Sequence, residues 1–347
     1  MICPYDWSYP GGVRSHILGL VAALRSREIG AEIIAPASHP EPGVLVAGKT
    51  LAVPANGSIA RICCSSSAHR RVQEHLEAAR LDLVHLHEPG TPSLSLLALL
   101  GPGRPTVATF HAAAPASLGY ALARPVLDRL FGRIHQRVAV SKAARDLVGR
   151  YFPAPYRLIP NGVEVSRFAR ACPDPELVAM KPFVLFVGRP EPRKGFEVLC
   201  AAMEEVTRAH DVRLVAAGIP GRPRAWLVPL GRVEETRLPG IYAAADLFCA
   251  PSLGAESFGL VLAEAMAAGV PVICSELPGY REAGGDAPLY APPGDVPALA
   301  AALAGILSSD DRAGKLSEAG RRRAAELDWE VLVDEVIDCY GRALEHA

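Results

Sequence analysis

Two glutamates in this 347-residue chain have the type and spacing to do chemistry. They stand in the stretch Gly254-Ala-Glu256-Ser-Phe-Gly-Leu-Val-Leu-Ala-Glu264-Ala-Met-Ala-Ala-Gly269. Apolar Phe258, Val261, Leu262, Ala265 and Met266 recur at i, i+3, i+4, i+7 and i+8, which predicts an amphipathic helix. Gly269 followed by Pro271 is its stop signal. On that reading Glu256 lies just before the helix and Glu264 two turns into it, roughly 12 Å apart along the axis. Backbone N–H groups from Ser257 to Leu260 lie between them, and a helix start of this kind binds anions. An extended ligand with hydroxyls at both ends and phosphates in the middle, such as a nucleotide-sugar, fits this arrangement. A solvated glutamate pair on an ordinary surface helix is the competing reading.

Cations supply the next clue. Gly188-Arg189-Pro-Glu-Pro-Arg193-Lys194-Gly195 follows a predicted strand and sets three cations beside two glycines, the composition of a diphosphate clamp. The spacing is not that of a Walker A loop, and a solvated basic loop is the alternative. Gly11-Gly12, before the first predicted helix, offers a bare backbone where a phosphate can approach, or a plain turn. His111 closes the strand Thr106–His111 at the expected mouth of its sheet. His85 and His87 are expected to alternate faces of one strand and to be structural. No Asp-x-Asp stands near a strand end, so no metal ligand is assigned; nothing in the sequence indicates Mg2+. No Gly-x-Ser-x-Gly nucleophile motif is present.

Strands that alternate with helical patterns must position these groups. Short apolar runs at 31–35, 83–87, 106–111 and 137–141, then 183–187, 213–217, 246–250 and 270–274, predict α/β architecture with parallel sheets covered on both faces. Two Rossmann-like domains facing each other across a cleft account for the pattern. Their expected bounds are residues 1–165, a Pro-rich linker at 166–182, and residues 183–327. A closing helix, 328–347, is expected to pack back toward the first domain. Ligands of such sheets bind outside the carboxyl ends of the strands. Prolines after Gly218 leave room for only a shortened crossover there.

Bulk properties exclude several classes. Half the residues are apolar and 21% are charged, which describes a globular interior. A net charge of −1 removes the global electrostatic case for a nucleic-acid partner. The eight cysteines form no C-x-x-C pair and are expected to be reduced thiols, mostly buried. No apolar run reaches the roughly 20 residues of a membrane span, and the first residues are unlike a signal peptide. A cytoplasmic protein is expected.

Together these segments resemble glycosyltransferase family 4, which has the GT-B fold, over nearly the whole chain. Glu256 and Glu264 match its E-x7-E, and Arg189 with Lys194 its diphosphate pair. The resemblance is nearest to the phosphatidylinositol α-mannosyltransferase branch. It is carried by Cys3-Pro-Tyr5, Pro10-Gly-Gly-Val13, Pro54-Ala-Asn56-Gly-Ser58, His87-Glu-Pro89, Thr109-Phe-His111, Ile159-Pro-Asn-Gly-Val163 and Glu191-Pro-Arg-Lys-Gly195.

The resemblance implies retaining transfer of a sugar, mannose from GDP-mannose, to phosphatidylinositol, by an enzyme peripheral on the inner face of the membrane and needing no cofactor. Glu264 would hold the nucleotide ribose and Glu256 the sugar hydroxyls. Arg189, Lys194 and the Gly12 backbone would stabilise the departing diphosphate, with His111 near the reaction centre. Ser257, Phe258, Gly259 and Leu260 would line the donor. Glu235, after Val233, would meet guanine, whose N1–H and N2–H a carboxylate can accept and uracil does not offer. Tyr5, Arg14, Asn56, Arg70 and Arg71 would face the acceptor.

This chain departs from the branch on the acceptor side. His69-Arg70-Arg71-Val-Gln-Glu74 carries only two cations where the branch has a longer basic run, each worth roughly 1 kcal/mol of attraction to anionic lipid. Ala112-Ala-Ala-Pro-Ala116 replaces polar residues, and Gly90 and Arg14 replace amides. Other acceptors or donors therefore stand as alternatives, among them a soluble inositol phosphate or a glycan intermediate. So does a nucleotide-sugar-binding protein with impaired turnover. A sugar-nucleotide 2-epimerase is disfavoured by the Glu256–Glu264 pair.

Overall fold

Short runs, fully buried in the central strands and half-buried toward the edges, become the strands of two parallel sheets in the computed structural model, which describes residues 1–55, 58–101, 103–114 and 116–345. The chain divides into two units, Met1–Gly162 with Trp329–Ala347, and Val163–Asp328.

The first unit runs α1 (Gly12–Ser26), β1 (Ile33–Ala35), β2 (Val44–Val46), β3 (Leu51–Ala55), β4 (Ser58–Ile62), α2 (Ser66–Ala78), β5 (Val84–His87), α3 (Leu94–Ala98), β6 (Thr106–Phe110), α4 (Leu118–Phe131), β7 (Gln136–Ala139), α5 (Lys142–Tyr151) and β8 (Arg157–Leu158). Its sheet pairs β5, β6, β7 and β8 in that order, all parallel. Almost no strand precedes the first turn, yet Ile2 alone bridges Ile34 on one side and Leu86 on the other, tying the parallel pair β1–β2 to β5. β3 and β4 form an antiparallel hairpin outside this sheet. The closing helix, Trp329–Glu345, turns Trp329, Leu332, Val333, Val336, Cys339, Tyr340 and Ala343 inward against Leu20, Leu24 and Val107 of this unit.

The second unit contains α6 (Val165–Ala169), α7 (Pro175–Val178), β9 (Phe183–Val187), α8 (Phe196–Val206), β10 (Arg213–Ala217), β11 (Leu227–Gly231), α9 (Leu238–Ala244), β12 (Leu247–Ala250), α10 (Leu260–Ala267), β13 (Val272–Ser275), α11 (Pro278–Gly284), β14 (Leu289–Ala291), α12 (Val296–Leu307) and α13 (Asp310–Glu326). Counting the helix at 329–345 as α14 completes the chain. The strand order β11-β10-β9-β12-β13-β14, all parallel, reverses direction between β9 and β12. That is the doubly wound order, and ligands bind at its switch point. Residues 218–226 join β10 to β11 without a helix, as the prolines there require.

One expectation is corrected here. Residues 166–182 are not a free linker: Phe168 and Leu177 are buried in the core of the second unit, 4% and 0% exposed. Asp174 caps α7 by accepting from the N–H groups of Glu176 and Leu177, and Arg237 donates to its other oxygen at 2.7 Å. Two large apolar side chains and one cap are enough to fold a Pro-rich stretch down.

Candidate active site

The second unit gathers its charged groups around the switch point. β9 delivers Gly188 and Arg189, and a single 3₁₀ turn, Pro192–Lys194, aims the following cations. Gly195 then sits at φ +68°, where an added Cβ would lie 1.9 Å from the Pro251 carbonyl oxygen. Only glycine lets this loop lie so close to the one that follows β12. The contact sets Lys194 and Arg193 on Glu256: Lys194 Nζ donates to Oε1 at 2.7 Å, Arg193 Nη1 at 3.0 Å and Ser252 Oγ at 3.1 Å. Glu191 bridges behind them, 2.8 Å from Arg193 and 3.1 Å from the half-exposed Arg189. The Ser252 hydroxyl also meets Tyr280 Oη at 2.8 Å. Ala255, just before Glu256, is held at φ +56°, an αL conformation uncommon for alanine.

The helix differs from expectation. Gly259, at φ +104°, keeps residues before Leu260 out of it, so Phe258 is not helical and Glu264 is little more than one turn in. Phe258 is core, 3% exposed, and has only its backbone to offer a ligand. Leu262, Ala263, Ala265, Met266 and Ala267 are buried together, so α10 is enclosed rather than amphipathic. Leu260 and Ser257 are half-buried. Burial pushes the Glu264 carboxyl up to about 7, against the hydrogen bond that Tyr242 Oη donates to its Oε2 at 2.9 Å. Arg167 pulls the same carboxyl down and Glu235 pushes it up. These two are themselves linked, Arg167 Nη2 donating to the Glu235 carbonyl at 2.6 Å. Val233 packs half-buried against the core.

The first unit gathers a cluster of histidines. His85 and His87 do not alternate faces: two residues apart on a strand they share one, and their rings stack at 4.4 Å. His85 is tied by Tyr340 Oη at Nδ1 (2.8 Å) and Thr109 Oγ1 at Nε2 (2.7 Å). His87 Nδ1 meets His111 Nε2 at 3.1 Å, so His87 bears directly on the predicted site residue. His16, from α1, stands edge-on to both rings with centroids 5.3 and 4.8 Å away, its Nδ1 2.8 Å from Asn161 Oδ1. Burial lowers the pKa of all four imidazoles, His16 to about 4, so they are neutral near pH 7. Glu88 fixes the backbone beside them, its Oε2 accepting from the N–H groups of His111 and Ala112 at 2.7 Å each.

Donor atoms of His16, His87 and His111 lie within 4.8 Å of one another, the only such ligand group among the described residues. Imidazole nitrogens suit zinc-class ions, not Mg2+. Nitrogens sharing one zinc at ~2.1 Å stand roughly 3.4 Å apart, so the rings would have to close in.

The remaining predicted residues are less gathered. α1 starts at Gly12 with no side-chain cap on its N-terminus. An added Cβ at Gly11 would meet nothing within 4 Å, so packing does not require the bare backbone there. Tyr5 Oη lies 3.4 Å from Thr91 Oγ1, and the Arg14 guanidinium is 5.4 Å from the Trp7 ring centre. Arg70 and Arg71 are on the exposed face of α2 beside Glu74. Asn56 lies outside the described residues. Sequence reasoning missed Arg193 as a Glu256 ligand, Tyr242, His16 and Asn161. Arg193 had a signal in its place in the basic loop, and Asn161 in the Ile159–Val163 motif; Tyr242 and His16 had none.

Two Rossmann-like units, one with cations gathered on a carboxylate at its switch point, define a glycosyltransferase of the GT-B class. The pattern described as "Glycosyltransferase Family 4" matches residues 10–167, and "Glycosyl transferases group 1" matches 181–309. The chain is 39% identical to the phosphatidyl-myo-inositol mannosyltransferase of Mycolicibacterium smegmatis, covering 98% of this chain and 92% of that protein. It is 34% identical to the enzyme of that name from Propionibacterium freudenreichii, covering 98% and 93%. Sucrose-phosphate synthase from Thermosynechococcus elongatus shares the fold with a TM-score of 0.78 at 21% identity, covering 100% of this chain and 98% of that one. The chain belongs to glycosyltransferase family 4 and is a hexosyltransferase. Among the described residues, no helix is long and apolar enough to cross a membrane.

Proposed function

We propose that this enzyme transfers mannose from GDP-mannose to the inositol ring of phosphatidylinositol, with retention, at the cytoplasmic face of a membrane. The observation that carries the donor half is the cluster on Glu256 Oε1, which holds Lys194 and Arg193 at the switch point of the second unit's parallel sheet. When the donor binds, its diphosphate competes with Glu256 for these cations. Lys194, with Arg189, then stabilises the charge that grows as the sugar–phosphate bond breaks, and the α1 N-terminus at Gly12 is the anion-binding group that the first unit offers. Glu256, relieved of part of its pairing, accepts from the sugar hydroxyls. Glu264 accepts from the ribose hydroxyls, and Glu235 from the guanine edge. His111 is neutral and acts as a hydrogen-bond partner of the transferred sugar, not as a cation.

The acceptor half rests on the relatives named phosphatidyl-myo-inositol mannosyltransferase, with Tyr5, Arg14, Asn56, Arg70 and Arg71 as the acceptor-side residues. A second reading has a specific support: a D-inositol 3-phosphate glycosyltransferase of Xylanimonas cellulosilytica is 29% identical, covering 96% of this chain and 92% of that protein. Radiolabelled GDP-mannose offered with phosphatidylinositol vesicles, and separately with inositol 3-phosphate, decides between them. Label in the lipid phase supports the first reading, and label only in the soluble product overturns it. UDP-sugars in parallel test the base assignment. Transfer unchanged in both Glu256→Ala and Lys194→Ala would remove the site.

A further inference from the structure

The outer face of α4 is apolar where a surface helix should be polar. Leu118, Leu122 and Val126, spaced i, i+4 and i+8, form one stripe and are 75%, 74% and 63% exposed. Tyr120, Leu127, Leu130 and Phe131 fill the opposite face and hold the helix on its unit. The stripe lies in the most basic part of the chain. From 116 to 151 there are seven Lys and Arg (Arg124, Arg129, Arg133, Arg137, Lys142, Arg145, Arg150) against two carboxylates, Asp128 and Asp146, in a protein of net charge −1. Arg124 and Arg129 are exposed on α4 itself. By contrast α2, which carries Arg70 and Arg71, buries its apolar residues Ala68, Val72 and Leu76 and shows solvent a mixed Arg and Glu face.

α4 is also joined to the site. Tyr120 Oη donates to Glu88 Oε1 at 2.9 Å, and the other oxygen of Glu88 holds the backbone N–H groups of His111 and Ala112. A surface that received the stripe would therefore lie two side chains from His111. A protein partner needs directional polar contacts around its apolar core. A stripe of aliphatic side chains flanked by arginines needs only a fluid apolar layer beneath negative charge.

We propose that the Leu118–Leu122–Val126 face of α4 is the surface by which this enzyme seats on an anionic membrane leaflet. This inference rests on the lipid-acceptor reading for its purpose, but vesicle binding tests it without any turnover. Sedimentation of the full chain with sucrose-loaded vesicles of phosphatidylcholine and phosphatidylglycerol gives the partition coefficient. The double variant Leu118→Ser/Leu122→Ser should bind roughly tenfold more weakly. Arg124→Gln/Arg129→Gln should cost roughly fivefold per cation at low salt, and less at high salt. Leu122→Trp should show blue-shifted emission on vesicles. These side chains are exposed, so far-UV circular dichroism and GDP binding should be unchanged.

Wild-type vesicle binding by Leu118→Ser/Leu122→Ser overturns the proposal. So does loss of binding confined to Arg70→Gln/Arg71→Gln. Conversion of a dimer to a monomer by the leucine variant, with vesicle binding intact, assigns the stripe to a second copy and also overturns it. Stripe-dependent binding without transfer to phosphatidylinositol would sustain this inference while the acceptor reading failed.

Discussion

The two units bury polar groups at the carboxyl ends of their sheets in opposite ways. In the second unit Glu256 meets Lys194 and Arg193 within 3.0 Å, so each ion removed from water has an opposite charge as its partner. In the first unit His16, His85, His87 and His111 are packed on one another, and burial keeps them neutral. The charged cluster of the second unit can answer a change of charge nearby. The histidine cluster offers fixed, neutral hydrogen bonds whose pattern does not change near pH 7. On the proposed function, departure of a diphosphate would draw on the first kind of group and orientation of a sugar on the second.

The largest expected effect breaks the charged half. Lys194→Ala should lower kcat/KM for the donor by roughly 10²–10³-fold, since a cation aimed at developing charge is removed, as measured by transfer from labelled GDP-mannose. His87→Ala should cost less, because no charge is lost; an equal loss would contradict the division of labour.

Gly195→Ala attacks the same half through its backbone. With a Cβ 1.9 Å from the Pro251 carbonyl oxygen and φ at +68°, the second unit should lose about 2–4 kcal/mol. Urea unfolding followed at Trp226 is the check, and an unchanged midpoint would mean that the loop closes without glycine.

Acidity should separate the units. His16 has an unfolded pKa near 6.5 and a folded value of about 4, so the unfolded chain binds more protons between them. Its contribution, on the order of 3 kcal/mol, is present above pH 6.5 and is lost as pH falls toward 4. Glu264 runs the other way. Its folded value of about 7 exceeds the usual 4.5, so stability falls as pH rises from 4.5 to 7. Pulse proteolysis at pH 5.5 and 7.5, with fragments assigned to each unit, should show the first unit weaker in acid and the second relatively spared.

Tyr242→Phe is a finer probe of that carboxyl. The hydroxyl it removes donates to Glu264 Oε2 and lowers its pKa. The acidic limb of donor kcat/KM should therefore move to higher pH, with little change on the plateau. A limb that stays put would separate Glu264 from donor binding. Smallest of all, Ala255→Gly relieves an alanine at φ +56° and should stabilise the second unit by about 1 kcal/mol, offset in part by chain entropy.

Much of the α/β pattern was legible because strands and helices carry their own periods. The Glu256 to Glu264 spacing and the Arg189 to Lys194 loop were legible because they lie on short pieces of chain. The start of α10 was not, since Phe258 continues the apolar rhythm and only the positive φ of Gly259 stops the helix. Nor was the fate of residues 166–182, where Phe168 and Leu177 outweigh the prolines only once a core exists to receive them.

The sequence by itself determined which chemistry was at hand: two carboxylates in register, a basic loop after a strand, and a glycine turn before a helix. These are local, set by bond geometry and by side chains a few residues apart. Tertiary structure alone decided what each group became. His16, His87 and His111 come from α1, β5 and the residue just after β6, and meet only when the unit folds, which strips their water and leaves them neutral. Arg193 and Lys194 find Glu256 only when two loops from neighbouring strands touch at Gly195. Desolvation and through-space charge act over distances that the order of residues does not encode.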